Sequence, residues 1–126
     1  MASFTGGDSI EVRCKEAGLM GSYYPATILK PLGKKDYLVQ FQSLVADRRN
    51  DMVRGVVEAA DIRPSPPNFQ VMSYRSGDLV DVFDDDGWKV RSFDSMGEGY
   101  SGRKFRIHQE WKDGEWFLSR KSNKKI

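Results

Sequence analysis

The chain contains one short phrase twice. Gly7-Asp8-Ser9-Ile10-Glu11-Val12 returns as Gly77-Asp78-Leu79-Val80-Asp81-Val82, with Ile62-Arg63-Pro64-Ser65-Pro66-Pro67 between the copies. Each copy is a Gly-Asp turn feeding alternating apolar and charged residues, the period of two that marks a half-buried strand. A repeated turn and strand on either side of a proline-rich hinge points to tandem copies of one small β-unit. Small β-barrels in tandem bind ligands in grooves or cages far more often than they do chemistry.

The order of elements follows from the same alternation. Ile10, Val12 and Cys14 face one way and Glu11, Arg13 and Lys15 the other. Ala17 to Ser22 reads as a loop, and Tyr23 to Leu29 as a second strand with Tyr24, Ala26 and Ile28 on one face. Pro25 offers no donor, which predicts an edge or an interruption there. A turn over Pro31 to Asp36 leads to a third strand, Tyr37 to Phe41, and the polar stretch Ser43 to Asn50 reads as a loop. Met52 to Glu58 is a fourth strand broken near Gly55, and Ala59 to Arg63 a helical turn that closes the unit.

In the second copy, Val80, Val82 and Phe83 precede an acidic turn, Asp84-Asp85-Asp86-Gly87, and then Trp88-Lys89-Val90. Arg106-Ile107-His108 matches the earlier Asp61-Ile62-Arg63, so the repeat offset falls from about 70 to about 45. Roughly 25 residues of strand are missing from this copy, and the Gly- and Ser-rich stretch Phe93 to Arg103 reads as loop. Trp111-Lys112-Asp113-Gly114-Glu115-Trp116 is a hairpin around an Asp-Gly turn of type I′. The predicted organisation is an all-β fold: a first barrel over residues 4–64, a hinge over 65–73, a reduced β unit over 74–118, and a basic tail over 119–126.

Composition narrows the function. The 126 residues are 39% apolar, 30% charged and 12% aromatic, with a net charge of only +2. Arg120, Lys121, Lys124 and Lys125 place much of the positive charge at one end. The body is therefore a poor match to a duplex-DNA binder, which needs basic charge on a folded face. One cysteine, Cys14, permits no internal disulfide and is expected to be a buried structural thiol. The start of the chain lacks a signal pattern and no apolar run approaches membrane-spanning length. A soluble, intracellular protein is expected, with no membrane partner.

At this point several linked motifs carry a family resemblance. Gly7 to Val12, Gly21-Ser22-Tyr23-Tyr24-Pro25-Ala26-Thr27-Ile28, Tyr37-Leu38-Val39-Gln40-Phe41 and Ile62 to Pro67 resemble a plant Agenet domain, a branch of the Tudor-like Royal superfamily. Gly77 to Trp88 resembles the opening of a second Agenet domain, and Ile107 to Trp116 its closing segment. The resemblance implies a small, strongly bent Tudor-like barrel followed by a shortened Agenet unit. It also implies a nuclear chromatin reader whose partner is a histone tail carrying methylated lysine.

A methylated ammonium keeps its charge but loses hydrogen-bond donors, so aromatic faces hold it by cation–π attraction. The resemblance marks Tyr24 as the first cage candidate, Phe41 as the second and Tyr23 as a wall. Asp47 is the candidate acid that accepts a hydrogen bond from a dimethyl form. Trp88 is assigned to packing between the repeats, with peptide contact as its second role, and Asp84, Asp85 and Asp86 to a basic tail or to solvent. The bland reading of Tyr24 and Phe41 is core packing in a very small barrel.

Other chemistry finds little support. Gly97-Glu98-Gly99-Tyr100-Ser101-Gly102 matches a dinucleotide fingerprint literally, but no βαβ unit surrounds it. His108 is the only histidine and no carboxylate pair is singled out, so no catalytic residue, metal site, cofactor or small-molecule substrate is expected. Two alternatives stay open: RNA binding through Arg48, Arg49, Arg54 and Arg63 with exposed aromatics, and an interaction scaffold that docks by edge pairing.

Overall fold

The structure is a computed structural model. It describes residues 3–15, 22–46, 51–69, 71, 73–84, 87–93 and 104–118, the side chains of 43–46, 51, 52 and 84 excepted. Contacts divide the chain into two units, Met1–Ser65 and Pro66–Ile126.

The first unit contains β1 (Ser9–Arg13), β2 (Tyr23–Leu32), β3 (Asp36–Ala46) and β4 (Asp51–Glu58), a 3-10 turn over Ala59–Asp61, and β5 (Ile62–Pro64). All pairings are antiparallel, in the order β5-β1-β2-β3-β4. Register shifts fall between Ile28 and Lys30 in β2 and between Gln40 and Val45 in β3. Such bulges bend a strand and increase its twist, which lets the long β2 and β3 wrap around a core of very few residues. That core is Phe4, Ile10, Val12, Ala26, Ile28, Tyr37, Val39 and Ile62, all buried. Phe4 meets Tyr37 edge to face with centroids 5.7 Å apart, and its backbone N–H donates to the Tyr37 hydroxyl at 3.2 Å. Cys14 is buried.

Several expectations about this unit are corrected. The closing helical turn stops at Asp61, and Ile62–Pro64 are strand β5. β2 runs through Pro25 without interruption, although Pro25 lies opposite Glu11 of β1. The bonds from Ile28 N–H to Asp8 O and from Cys14 N–H to Ser22 O put the even-numbered residues of β2 in the hydrogen-bonded positions. Pro25 falls in a non-bonded pair, where β1 asks for no donor. β3 continues to Ala46, so Ser43 to Ala46 are strand rather than loop. β4 is unbroken at Gly55, which pairs with Val39. A Cβ there would lie 3.7 Å from Phe41 Cε2, an ordinary contact, so the glycine neither breaks nor kinks the strand.

The second unit repeats the opening of the first. β6 (Leu79–Asp84) pairs with β7 (Gly87–Ser92) and with β8 (Phe105–Ile107), as β1 pairs with β2 and β5. The repeated Gly-Asp turn is the same structure built twice. Gly7 and Gly77 have φ of 94° and 91°, a region glycine enters without a Cβ penalty. Asp8 Oδ2 accepts from Thr5 N–H at 2.9 Å, and Asp78 Oδ2 from Arg75 N–H at 2.8 Å.

Val80 and Val82 are fully buried, with Tyr74 and Phe93 packed against them. β3 and β4 have no counterpart among the described residues, and the predicted loop lies outside them apart from Phe93. The closing motif aligns differently from the sequence reading. Arg106 sits opposite Asp81 as Arg63 sits opposite Glu11, so Arg106 matches Arg63 rather than Ile107 matching Ile62. The final offset is thus 43, and a two-residue slip is invisible to alternation because it leaves every side chain on its own face.

β9 (Gln109–Lys112) and β10 (Glu115–Leu118) form a separate hairpin. Asp113 and Gly114, with φ of 53° and 79°, make the turn, both positive as type I′ requires. Trp111 and Trp116 pair across it.

Candidate ligand-recognition site

The first unit's inner face grades from closed to open. Ile28 lies opposite Val39, both fully buried, and the next inner pair is Ala26 and Phe41. Tyr24 follows on β2, half-buried like Phe41. The same alternation that builds the core therefore delivers two aromatic rings to its mouth. Their centroids are 6.3 Å apart and their planes meet at 89°. The two ring planes meet as a right-angled corner, and Phe41 also packs against the core. Tyr24 and Phe41 are thus brought together; Asp47 lies outside the described residues.

Tyr23, on the opposite face of β2, is engaged elsewhere. The Arg63 guanidinium lies 3.5 Å from its ring centroid. Arg63 Nε and Nη2 both donate to Glu11 Oε1, at 3.0 and 2.8 Å, and the two charged residues are 4% and 3% exposed. β1 is consequently buried on both faces, Ile10 and Val12 in the apolar core and Glu11 under an internal ion pair. An internal cation already occupies one face of Tyr23. Arg63, one of the four arginines considered for RNA, is spent inside the fold. Arg54 is exposed and donates to Gln40 at 3.1 Å, and Arg48 and Arg49 lie outside the described residues.

The second unit copies this device. Arg106 Nε donates to Asp81 Oδ2 at 3.0 Å and its guanidinium lies 3.9 Å from the ring centroid of Trp88. Phe83 meets the Trp88 ring at 5.1 Å, close to edge-on. Trp88 thus stands where the first unit has Tyr23, since each is paired with the strand residue two beyond the buried carboxylate. By the same register Lys89 stands where the first unit has Tyr24. The aromatic corner therefore belongs to the first unit alone among the described residues. Tyr74, Phe93 and Phe105 do cluster, with centroids 5.1 to 6.4 Å apart, but the Tyr74 and Phe93 rings stack on each other. Asp84 ends β6, its side chain not described, and Asp85 and Asp86 lie outside the described residues.

Three features escaped the sequence reading. One is the pair of buried carboxylate–arginine–aromatic sets, whose signal was an acid in the middle of both repeated phrases and an arginine in each closing motif. Another is His108, whose ring contacts Asp81 and Glu110. The third is a cleft of about 170 Å³ walled by Pro66, Pro67, Asn68, Phe69, Arg106, Ile107 and Gln109. Phe69 is 50% exposed on that wall. No group of His, Cys, Asp and Glu suited to a metal occurs among the described residues.

An all-β chain with a strongly bent antiparallel barrel and a reduced second copy of its opening defines a Tudor-like tandem. The match to known proteins narrows that class. Residues 7–67 match the Agenet domain. The chain is 31% identical over 139 residues to the Arabidopsis thaliana protein AGENET DOMAIN (AGD)-CONTAINING P1, covering 96% of this chain and 26% of that protein. It is 29% identical over 135 residues to DUF724 domain-containing protein 7 of the same plant, covering 95% of this chain and 19% of that one. It thus spans about a quarter and a fifth of their lengths.

Two crystal structures share the fold. AGDP1 AGD34 of Arabidopsis thaliana superposes with a TM-score of 0.77 at 25% identity, over 91% of this chain and 89% of that one. The ADCP1 tandem Agenet domain 3-4 gives 0.74 at 26% identity, over 91% and 87%. The chain is an Agenet-domain protein. Agenet domains are commonly protein- or histone-interaction modules.

Proposed function

We propose that this protein reads histone tails in the nucleus and holds a methylated lysine between Tyr24 and Phe41. The observation that carries the reading is the right-angled aromatic pair at the open end of the first unit's core. Each ring face contributes about 0.5–2 kcal/mol to a bound methylammonium, so two walls give modest affinity and neighbouring peptide contacts supply the rest. Asp47 is the carboxylate assigned to accept a hydrogen bond from the remaining N–H of a dimethyl form. Tyr23, on the opposite face of β2 and under the Arg63 guanidinium, is left out of the cage.

Calorimetric titration with histone-tail peptides, unmodified and mono-, di- and trimethylated, tests the reading. Binding that rises with methylation and falls about 2- to 30-fold in Tyr24→Ala, the loss of one wall, supports it. Affinity indifferent to methylation, or unchanged in a folded Tyr24→Ala, defeats it.

A further inference from the structure

The second unit carries a charged chain with no equivalent among the described residues of the first. His108 is 7% exposed and stands between β8 and β9. Its Nδ1 lies 2.7 Å from Asp81 Oδ1 on β6, and its Nε2 lies 3.1 Å from Glu110 Oε2 on β9. The other Asp81 oxygen accepts from Arg106 of β8 at 3.0 Å. Thus the charged groups around the imidazole are Asp81 from β6, Glu110 from β9 and, through Asp81, Arg106 from β8. The backbone shows what His108 replaces. Its N–H donates to Leu79 O at 3.1 Å, as Ser65 N–H donates to Ser9 O at 3.3 Å. A histidine therefore takes the place of a serine that does not titrate.

The geometry selects one protonation state. A neutral imidazole has one N–H donor and one lone pair, whereas imidazolium has two donors. Both ring nitrogens of His108 face carboxylate oxygens, which accept only. Imidazolium satisfies both contacts and balances the cluster, with Arg106 and His108 positive and Asp81 and Glu110 negative. Deprotonation turns a lone pair toward one of the carboxylates. The Glu110 side chain is 53% exposed against 4% for Asp81, so Glu110 is the partner able to leave for water.

We propose that His108 is a protonation-controlled clasp: as imidazolium it links Glu110 of β9 to Asp81 of β6 and fixes the start of the β9–β10 hairpin, and on losing its proton it frees Glu110 and loosens that start. A two-stranded hairpin is marginal by itself in water, so its attachment decides whether it persists. Further attachments at its base are the His108 N–H to Leu79 O bond and Gln109 Nε2, which donates to Pro67 O at 3.0 Å. Burial works against the charged ring, but the hydrogen bonds and charges of Asp81 and then Glu110 outweigh it and hold the His108 pKa above its ordinary value. With the folded pKa raised, the clasp is at full strength below the ordinary histidine pKa of about 6.5 and is lost as pH rises through the raised value.

The chain has a single histidine, so its ring resonances can be titrated by NMR without ambiguity. The indole N–H signals of Trp111 and Trp116 report the hairpin in the same samples. The expected result is a His108 midpoint above that of an unfolded peptide, with both indole signals moving at the same midpoint. In Glu110→Gln the midpoint falls, and in His108→Gln the indoles no longer move with pH in this range. Indole signals that stay flat while His108 titrates overturn the proposal. So does a midpoint at or below the peptide value, or one unaffected by Glu110→Gln, which removes only an exposed carboxylate and so provides a test if His108→Gln does not fold.

Discussion

Replacing Arg63 by methionine removes the guanidinium from Glu11 while keeping an unbranched stem against Tyr23. Both charges are almost wholly buried, two hydrogen bonds of 3.0 and 2.8 Å converge on Glu11 Oε1, and the guanidinium stacks 3.5 Å from the Tyr23 centroid. Breaking a buried pair by removing one partner costs about 3–5 kcal/mol, chiefly because the other charge stays behind. Methionine regains part of the packing, which puts Arg63→Met near 3 kcal/mol, at about the lower end of that range. A unit of about 60 residues has a total stability of roughly 3–9 kcal/mol, so the variant becomes marginal.

Replacing both partners, in Glu11→Leu with Arg63→Met, should return stability to within about 1 kcal/mol of the parent, because no charge then remains inside. All three tryptophans lie beyond residue 66, so their fluorescence reports the second unit. The first unit is followed by NMR of resolved methyl signals of Ile10 and Ile28 during urea denaturation. A single variant costing under about 1 kcal/mol, or a double variant as unstable as the single, would refute this account of β1.

Three other outcomes are expected. Tyr23→Ala should lower first-unit stability by about 1–3 kcal/mol, through lost packing and lost cation–π contact, and leave any preference among methylated peptides unchanged, in contrast to Tyr24→Ala. Gly7→Ala and Gly77→Ala, at φ of 94° and 91° with no atom near the added Cβ, should each cost about 1–2 kcal/mol from backbone strain alone. Only Gly77→Ala should shift the tryptophan-detected transition, and equal shifts in both would argue against two separable units.

Asp61 pairs with Lys15 at 2.8 Å and Arg13 at 2.9 Å; burial opposes its charge, but these two cations outweigh burial and hold its pKa below the ordinary 3.8. With a depressed folded pKa, its contribution is present above the unfolded value and lost as pH falls through the folded one. Asp61→Asn should therefore flatten the acid limb of first-unit stability below about pH 4, measured by urea denaturation at stepped pH.

Alternation located β1, β2 and β6, because each buries one face against an apolar core and period two is visible in the residues. It failed where chemistry and geometry part. Pro25 reads as a strand breaker, but whether a missing donor matters depends on which residues of β2 bond to β1, and that is a property of register. Ser43 to Ala46 look like loop because they are polar or mixed, yet pairing beyond a bulge continues as far as Val45 with Met52 and Ala46 with Asp51. The site divides in the same way. Tyr24 and Phe41 were picked out as aromatics at the right places in family motifs, but it is the pairing of Ala26 with Phe41 that makes the two rings neighbours.

The sequence by itself determined the tandem plan: a glycine needed twice at positive φ, an aspartate needed twice to cap the turn, and a strand that follows each. These are local requirements, set within four or five residues, so they are written in the residues themselves. The tertiary structure alone decided which charges are internal. Glu11 and Asp81 look like solvent-facing members of an alternating strand until Arg63 and Arg106, 52 and 25 residues away, are laid across them. Burial of a charge depends on partners distant in the chain, and alternation carries no information about those.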